Sequence, residues 1–173
     1  MRGPGTLVDV DLDGVLAGLA PRLLRYAIGK TSDHSLGEEV AQEALTALVQ
    51  RWRRHGPPDS PEAFVFAVAR RRAGRAVLRR RLWLPLDVLG SRPAPTPDPE
   101  VEAVSNAAVR AVRTALARLS RLDRESLLLV TASELGAATA ARVLGISESG
   151  VRMRTLRARR RLAALLESGD GPR

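Results

Sequence analysis

The stretch that decides the fold runs from residue 141 to residue 161 and reads ARVLGISESGVRMRTLRARRR. A small residue, Ala141, precedes Gly145 by four positions, and glycine tolerates the positive φ at which a helix commonly ends. Ser147 is suited to cap a following helix, and Glu148 lies in its first turn, where the helix dipole favours an anion. This order of residues predicts a helix, a tight turn and a second helix.

The second of these predicted helices has an apolar side and an arginine-rich side. The residues Val151, Ala158, Leu162 and Leu165 recur at helical spacing and form an apolar stripe. Arginines lie on the flanks of this stripe and opposite it, at positions 152, 154, 157, 159, 160 and 161. Such a helix suits the DNA major groove. A solvated arginine-rich helix is the alternative, but the helix-turn-helix spacing before it favours DNA binding.

The composition fits a nucleic-acid-binding protein and argues against several other classes. The 173 residues have a formal net charge of +9, and Lys30 is the only lysine, so most of the positive charge is arginine. There is no cysteine, and the two histidines, His34 and His55, are too few for a metal site. No apolar run approaches a membrane span, and the first residues lack the apolar core of a signal peptide. We therefore expect a cytoplasmic protein without metal or cofactor.

The charge is distributed in three blocks. Residues 1–85 have 14 basic and 9 acidic side chains, a net charge of +5, and residues 106–167 have 12 and 5, a net charge of +7. Residues 86–105 between them have 1 basic and 4 acidic side chains, a net charge of −3. Two basic blocks separated by an acidic spacer indicate two modules that face nucleic acid.

Helical periodicity extends over both basic blocks, and no stretch alternates as a strand would. The sequence predicts an all-α chain of two small helical domains, residues 1–84 and 104–173, joined by a proline-rich linker at residues 85–103. The linker region could extend to roughly 60 Å, and in the free protein the domains could pack together and hide their DNA faces. The predicted helices span residues 12–28, 35–54, 60–82, 107–119, 124–133, 137–144 and 147–166.

Three helix starts are specific enough to test. Pro21 either opens a second helix or kinks the first. Ser35 followed by Glu38 is a capping-box pattern. Ser60 followed by Pro61 and an early acid is a strong start signal for the third helix.

The second domain resembles region four of the extracytoplasmic-function sigma factors of bacterial RNA polymerase. In that family a leucine and an acid precede an aliphatic run, followed by an Ile-Ala-x-x-Leu-Gly-Ile-Ser core and basic segments. The corresponding residues here are Leu119, Arg124-Glu125, Leu127 to Leu129, Ala140 to Ser147, Val151 to Arg154 and Arg157 to Arg159. The resemblance implies a domain that binds the minus-thirty-five promoter element and touches the polymerase flap.

The first domain resembles region two of the same family. The family's Glu-Asp-x-x-Gln-Glu segment corresponds to Glu38 to Glu43, followed by an aliphatic stretch that ends in Trp52. By resemblance, Glu39, Gln42 and Glu43 bind the clamp helices of core polymerase. An acid-and-amide ridge on a basic protein also suits a protein partner better than DNA, although an ordinary solvated helix face would show the same residues.

The resemblance further implies DNA contacts in both domains. The helix that follows Ser60 would recognise and open the minus-ten element, through Arg70, Arg71, Arg75, Arg79 and Arg80. The recognition helix would contact the upstream element through Ser149, Arg152, Met153, Arg154 and Arg157.

Several residues depart from the family pattern. Arg71 stands where asparagine is usual and Arg75 where aspartate is usual, and the added charge would strengthen phosphate attraction and salt sensitivity. These two changes put base-specific recognition in doubt at their positions. Gly150, Met153 and Thr139 replace threonine, serine and glutamate, which could shift or weaken promoter preference.

The expected function is therefore that of a sigma factor, which directs core RNA polymerase to specific promoters and initiates transcription. The expected partners are core polymerase, promoter DNA and an anti-sigma factor. An enzyme is not expected, because the chain offers no nucleophile, metal cluster or nucleotide loop. Two alternatives stay open: a stand-alone helix-turn-helix DNA-binding regulator, and a degenerate sigma-like protein that does not open promoters.

Overall fold

The structure, a computed structural model, describes residues 11–83 and 99–168, with side chains for residues 11–79 and 107–168. Over these ranges it is all-α, as predicted, and has no strand. The first module comprises α1 (Leu12–Thr31), α2 (His34–His55) and α3 (Pro61–Trp83). The second module comprises α4 (Pro99–Ala117), α5 (Arg121–Leu127), a π-helical segment (Leu128–Ala132), α6 (Ala137–Leu144) and α7 (Glu148–Glu167).

Helix α1 is continuous through Pro21, so the proline does not open a second helix. The carboxylate of Asp11 caps its start by accepting hydrogen bonds from the N–H groups of Asp13 and Gly14, at 3.1 Å each. The helix ends at Ser32, whose φ of +57° is left-handed, and not at the predicted residue 28.

The N-cap of α2 lies two residues before the predicted cap, Ser35, and the helix begins at His34. Asp33 is the N-cap, and its Oδ1 accepts the N–H of Leu36 at 3.0 Å, so the capping role predicted for Ser35 was wrong. Asp33 directly follows the left-handed Ser32 and stands at the cap position, so its side chain accepts an N–H of the first turn. Ser35 already lies inside that turn and cannot act as the cap. Val40, Ala44 and Leu48 of α2 recur at helical spacing and are buried.

Helix α3 begins at Pro61, as predicted, and Ser60 Oγ accepts the N–H of Ala63 at 3.2 Å. Its buried residues include Val65, Val68, Ala69 and Ala76. Phe66 is fully buried as well. Its ring meets Tyr26 of α1 edge-on, with centroids 5.6 Å apart, which is a favoured aromatic geometry.

The second module begins with α4 at Pro99, inside the stretch predicted as linker, and residues 85–98 of that stretch lie outside the described residues. Helix α5 starts three residues earlier than predicted. The reason is that Ser120 caps it, with Oγ accepting the N–H of Asp123 at 3.2 Å. The predicted helix then continues as the π-helical segment and ends at Ser133, whose N–H donates to the carbonyl of Leu128 at 3.1 Å.

The helix-turn-helix is confirmed in detail. Gly145 ends α6 with φ of +70°, and its N–H donates to the carbonyl of Ala141 at 2.8 Å. Ser147 caps α7, with Oγ accepting the N–H of Gly150 at 3.1 Å. Ala141 and Val151 are buried where the two helices meet. The left-handed glycine and the serine cap therefore fix the angle at which α7 is presented.

The two modules share one apolar core. Helix α1 packs on the π-helical segment, and α3 packs on α6. The shared core includes Leu23, Tyr26, Val65 and Phe66 from the first module and Leu128, Leu129, Leu135, Ala140 and Leu144 from the second. Separating the modules would expose this surface to water, which is unfavourable. The modules are therefore packed together as well as joined by the chain, as the sequence analysis allowed.

Candidate nucleic-acid and polymerase interfaces

The recognition helix α7 presents four of its five predicted DNA contacts to solvent. Ser149, Arg152, Met153 and Arg157 are exposed, and Arg152 forms an ion pair with Glu148 one turn earlier in the helix. Packing of the modules therefore does not hide this face.

Arg154 differs from the other predicted contacts on α7. Its side chain is only 31% exposed, and its Nη1 donates to Oδ1 of the buried Asp123 in α5 at 3.1 Å. This arginine ties the recognition helix to the body of the second module. Its guanidinium is not free to approach DNA without leaving Asp123.

The predicted minus-ten contacts on α3 also divide into two groups. Arg71, Arg75 and Arg79 are exposed, and the side chain of Arg80 lies outside those described. Arg70 is 24% exposed and donates its Nε hydrogen bond to Glu125 Oε2 of the second module at 2.6 Å. Of the described α3 arginines that were predicted to bind DNA, Arg70 is therefore the one covered by the packing of the modules.

The predicted polymerase-binding ridge lies on α2. Glu39 and Gln42 are exposed, and Glu43 is half-buried with Oε2 at 2.9 Å from Arg72 Nη1 of α3. The ridge thus presents the carboxylate of Glu39 and the amide of Gln42 to solvent, while Arg72 partly neutralises the carboxylate of Glu43. It is accessible in this arrangement of the modules.

Glu125 forms an ion network at the junction between the modules. Its side chain is fully buried and pairs with Lys30 of α1 and with Arg70, while Arg121 Nε lies 3.4 Å from Oε1. Burial raises the pKa of Glu125, but the hydrogen bonds and positive charges of Lys30 and Arg70 together lower it by more. The net pKa of Glu125 is therefore below its ordinary value. The carboxylate is therefore held in its charged form.

Sequence reasoning missed this network. The lone lysine and the acid before the aliphatic run were both noticed, but neither spacing nor periodicity shows that they meet. The burial of Lys30 lowers its pKa, and its pairing with Glu125 opposes that effect. Residues 95 positions apart meet here only because the modules pack together.

A second set of polar contacts joins the modules through the main chain. Arg22 of α1 donates from Nε to the carbonyl of Ser133 at 2.8 Å and from Nη2 to the carbonyl of Glu134 at 3.1 Å. Arg25, one turn later, donates from Nε to the carbonyl of Ala132 at 2.8 Å. The two arginines thereby satisfy backbone acceptors at the end of the π-helical segment. Their docking role was also not predicted.

The second module has an apolar cleft of about 400 Å³ on its surface. It lies between α4 and α7, and its floor is formed by α5 and the π-helical segment. Its lining includes Val112, Leu116, Leu127, Leu128, Leu162 and Leu166. An apolar cleft of this size suits the side chains of a partner helix.

Within the described ranges, no group of three or more histidine, aspartate or glutamate side chains is arranged to hold a metal ion. No helix in those same ranges is long and apolar enough to cross a membrane.

Comparison with known families and structures agrees with these features. The model of sigma-70 region 2 matches residues 16–82, and the model of sigma-70 region 4 matches residues 109–162. The first match covers α1 to α3 and the second covers most of α4 through α7.

Two curated relatives and two solved structures are similar over most of their length. ECF RNA polymerase sigma factor ShbA of Streptomyces griseus is 32% identical over 164 residues, covering 88% of this chain and 86% of the relative. The ECF sigma factor EcfG of Rhodopseudomonas palustris is 29% identical, covering 92% and 87%.

The similar solved structures share the fold at lower sequence identity. The sigma factor RpoE of Bartonella quintana, solved with the anti-sigma factor NepR, has a TM-score of 0.66 at 23% identity, covering 91% of this chain and 97% of that one. CnrH, solved with the cytosolic domain of CnrY, has a TM-score of 0.67 at 21% identity, covering 92% and 89%. The two family matches and the 32% identity to the ECF sigma factor ShbA show that the chain belongs to the extracytoplasmic-function sigma factors, which direct RNA polymerase to specific promoters and initiate transcription.

Proposed function

We propose that this sigma factor binds the minus-thirty-five element through α7, and the observation that supports this most is the geometry of that helix. Val151 and Ala158 are buried on one side, while Arg152, Met153 and Arg157 are exposed on the other. Arginines on an exposed helix face contact phosphates and guanine edges in the major groove. Arg154 contributes to DNA binding only after it leaves Asp123.

The polymerase contacts are proposed on two surfaces. The ridge of Glu39, Gln42 and Glu43 on α2 is accessible and negatively charged, which suits a protein partner better than DNA. The apolar cleft of the second module suits the flap, and the proposed DNA contacts Arg152 and Arg157 do not line it. Binding through both modules would attach the sigma factor to core polymerase at two places.

Promoter binding requires the modules to separate. Promoter elements centred about 25 base pairs apart are separated by about 85 Å along B-DNA. Two modules in contact through a shared core do not span that distance. The fifteen residues between α3 and α4 could extend to roughly 50 Å, which adds to the reach of the modules themselves. We therefore propose that the packed arrangement is the free state and that polymerase binding opens it. Opening releases Arg70 from Glu125 and makes it available, with Arg71 and Arg75, to hold the opened strand.

An anti-sigma factor is proposed as the regulator, because one solved structure of similar fold holds a sigma factor with an anti-sigma factor and the other holds CnrH with the cytosolic domain of a second protein, CnrY. The packed arrangement would be the form that such a partner stabilises. The proposed role is regulatory and not catalytic, and it places the protein with RNA polymerase in the cytoplasm.

Run-off transcription with core polymerase and genomic promoter fragments tests the proposal. Discrete start sites that require this protein, and that disappear in an Arg152→Ala plus Arg157→Ala variant, would support it. Binding to core polymerase without any transcript would favour a sigma-like protein that does not open promoters. Failure to bind core polymerase would favour a stand-alone DNA-binding regulator.

A further inference from the structure

A second cleft, with a volume of about 440 Å³, lies where the two modules meet. Its volume is in the range typical of small-molecule sites. Helices α1 and α3 of the first module and α5 of the second line it. Six of the lining side chains are cationic: Lys30, Arg70, Arg71, Arg75, Arg121 and Arg124.

The described lining contains six cations and no carboxylate, and Glu125 is the one carboxylate paired with these cations. Glu125 pairs with Lys30 and Arg70. Its Oε1 also lies 3.4 Å from Nε of Arg121, whose side chain is largely exposed. Arg71, Arg75 and Arg124 make no ion pair with another described residue. The Nε of Arg124 is buried and has no hydrogen-bond partner among the described atoms.

This distribution of charge favours an anion with several negative groups. Confined like charges repel one another, and a multivalent anion would remove that cost and provide the hydrogen bonds that the cleft lacks. Planar guanidinium groups match phosphate oxygens especially well. The exposed Leu78 and the half-buried Val77 form an apolar margin to the cleft, against which a nucleoside could lie.

We propose that this cleft binds an oligophosphate, either inorganic or attached to a nucleoside. The exposed DNA-contacting residues of α7 lie outside its lining, and the cleft is limited to the junction of the modules. The ligand therefore bridges the two modules through arginines of α3 on one side and of α5 on the other.

The position of the cleft gives the ligand a regulatory effect. The site is complete only while the modules are packed, so binding stabilises the packed arrangement by mass action. The ligand would then weaken binding to core polymerase. This consequence rests on the proposed function, whereas oligophosphate binding itself does not.

Isothermal titration of the full-length protein tests the proposal without polymerase. The probes are sodium tripolyphosphate and ATP, each without magnesium. The cleft variant is Arg121→Ala plus Arg124→Ala, and the charge-matched control is Arg110→Ala plus Arg142→Ala, two exposed arginines of the same module outside the cleft. We expect saturable one-to-one binding that weakens about tenfold or more in the cleft variant and stays within about twofold in the control. Arg75→Ala, on the opposite wall, provides a second test if the double variant does not fold.

The outcomes separate the two ligand sources and overturn the proposal if it is wrong. Tighter binding of ATP than of tripolyphosphate, with the difference removed by Leu78→Ser, would identify a nucleoside oligophosphate, and equal binding would identify the inorganic form. Absence of saturable binding of both probes overturns the proposal. Equal weakening in the cleft and control variants would show diffuse surface charge instead of a site. Loss of single-stranded DNA binding in the cleft variant, without oligophosphate binding, would assign the cleft to nucleic acid.

Discussion

Arg70 on α3 donates its Nε hydrogen bond to Glu125 on α5 across 2.6 Å, so a cation expected to contact the minus-ten element is neutralised by the module expected to bind the minus-thirty-five element. The carboxylate that receives it is fully buried and also pairs with Lys30. The proposed control of promoter access and the stability of the packed protein therefore depend on the same carboxylate.

Glu125→Gln keeps the shape of the side chain but removes its charge. We expect the free energy of unfolding to fall by about 3 kcal/mol, because Lys30 and Arg70 lose the partner that offsets their burial. Urea unfolding followed by circular dichroism measures the change. Glu148→Gln, which breaks the exposed pair with Arg152, is the matched control and should cost less than about 0.5 kcal/mol. Equal effects in the two variants would show that the buried pairing adds nothing to stability.

The pairing of Glu125 with Lys30 and Arg70 makes the free energy of unfolding depend on pH in a defined direction. The pKa of Glu125 is lower in the folded state than its ordinary value of 4.5, so the folded state binds fewer protons there than the unfolded state. The stabilisation is therefore complete above the unfolded pKa and is lost as the pH falls through the folded pKa. The stability difference between wild type and Glu125→Gln should be constant from about pH 7 to about pH 5 and shrink below that. A difference that stays constant to about pH 3 would contradict a titrating Glu125.

Tyr26→Phe should leave stability unchanged or raise it by up to about 1 kcal/mol. The hydroxyl of Tyr26 is buried and has no hydrogen-bond partner among the described atoms, and burial raises its pKa. Phenylalanine keeps the edge contact with Phe66 and removes the unsatisfied group. Thermal unfolding monitors the effect, with Tyr26→Leu as the variant that loses the ring contact and should be destabilised. A clear loss of stability in Tyr26→Phe would show that the hydroxyl is hydrogen-bonded.

Gly37→Ala should destabilise the first module by about 1–3 kcal/mol, although alanine is the better helix former. A Cβ at this position would lie 2.9 Å from the backbone nitrogen of Ile28 and 3.0 Å from its Cα. Helices α1 and α2 would have to move apart. Gly18→Ala on α1 is the control, since a Cβ there meets nothing within 4 Å, and it should gain about 0.5–1 kcal/mol. The same sign of change at both positions would argue against close packing at Gly37.

Two arginines of α7 should behave differently when replaced by alanine. Arg157→Ala should weaken binding to a promoter fragment and lower the magnitude of the salt slope by about one, because it removes one exposed phosphate contact. Arg154→Ala should have the smaller effect on DNA affinity and the larger effect on stability, since its guanidinium pairs with the buried Asp123. Fluorescence anisotropy at several salt concentrations and urea unfolding separate the two effects. The reverse order would show that Arg154 faces DNA in the complex.

The sequence was sufficient for features set by local signals. Helix periodicity, the Ser60–Pro61 start and the Gly145–Ser147 turn depend on residues within one or two turns of each other, and the structure shows each of them as predicted. Where two local signals competed, the prediction was wrong, as at Ser35, where Asp33 already caps the helix.

Contacts between the modules could not be predicted in the same way. Lys30 and Glu125 are far apart in the chain, and each alone is consistent with an exposed side chain. The edge-on contact of Phe66 with Tyr26, on another helix of the first module, likewise cannot be read from residue spacing. Of the predicted polymerase and DNA contacts whose side chains are described, all but Arg70 and Arg154 lie on accessible surfaces, and their roles stay predictions.

The hydrogen bonds from Arg22 and Arg25 to carbonyl oxygens of residues 132–134 have an evolutionary consequence. A carbonyl oxygen is the same whichever side chain its residue has, so substitutions in that turn leave these acceptors in place as long as the backbone path is kept. The side chain of Ala132 can therefore change with little effect on these bonds, whereas Glu134 also accepts a hydrogen bond from Arg25 Nη2 through its own carboxylate, at 2.9 Å. Arg22 and Arg25 cannot be replaced in the same way. A chimera that joins this first module to the second module of a relative should retain the packed form if the π-helical segment is preserved.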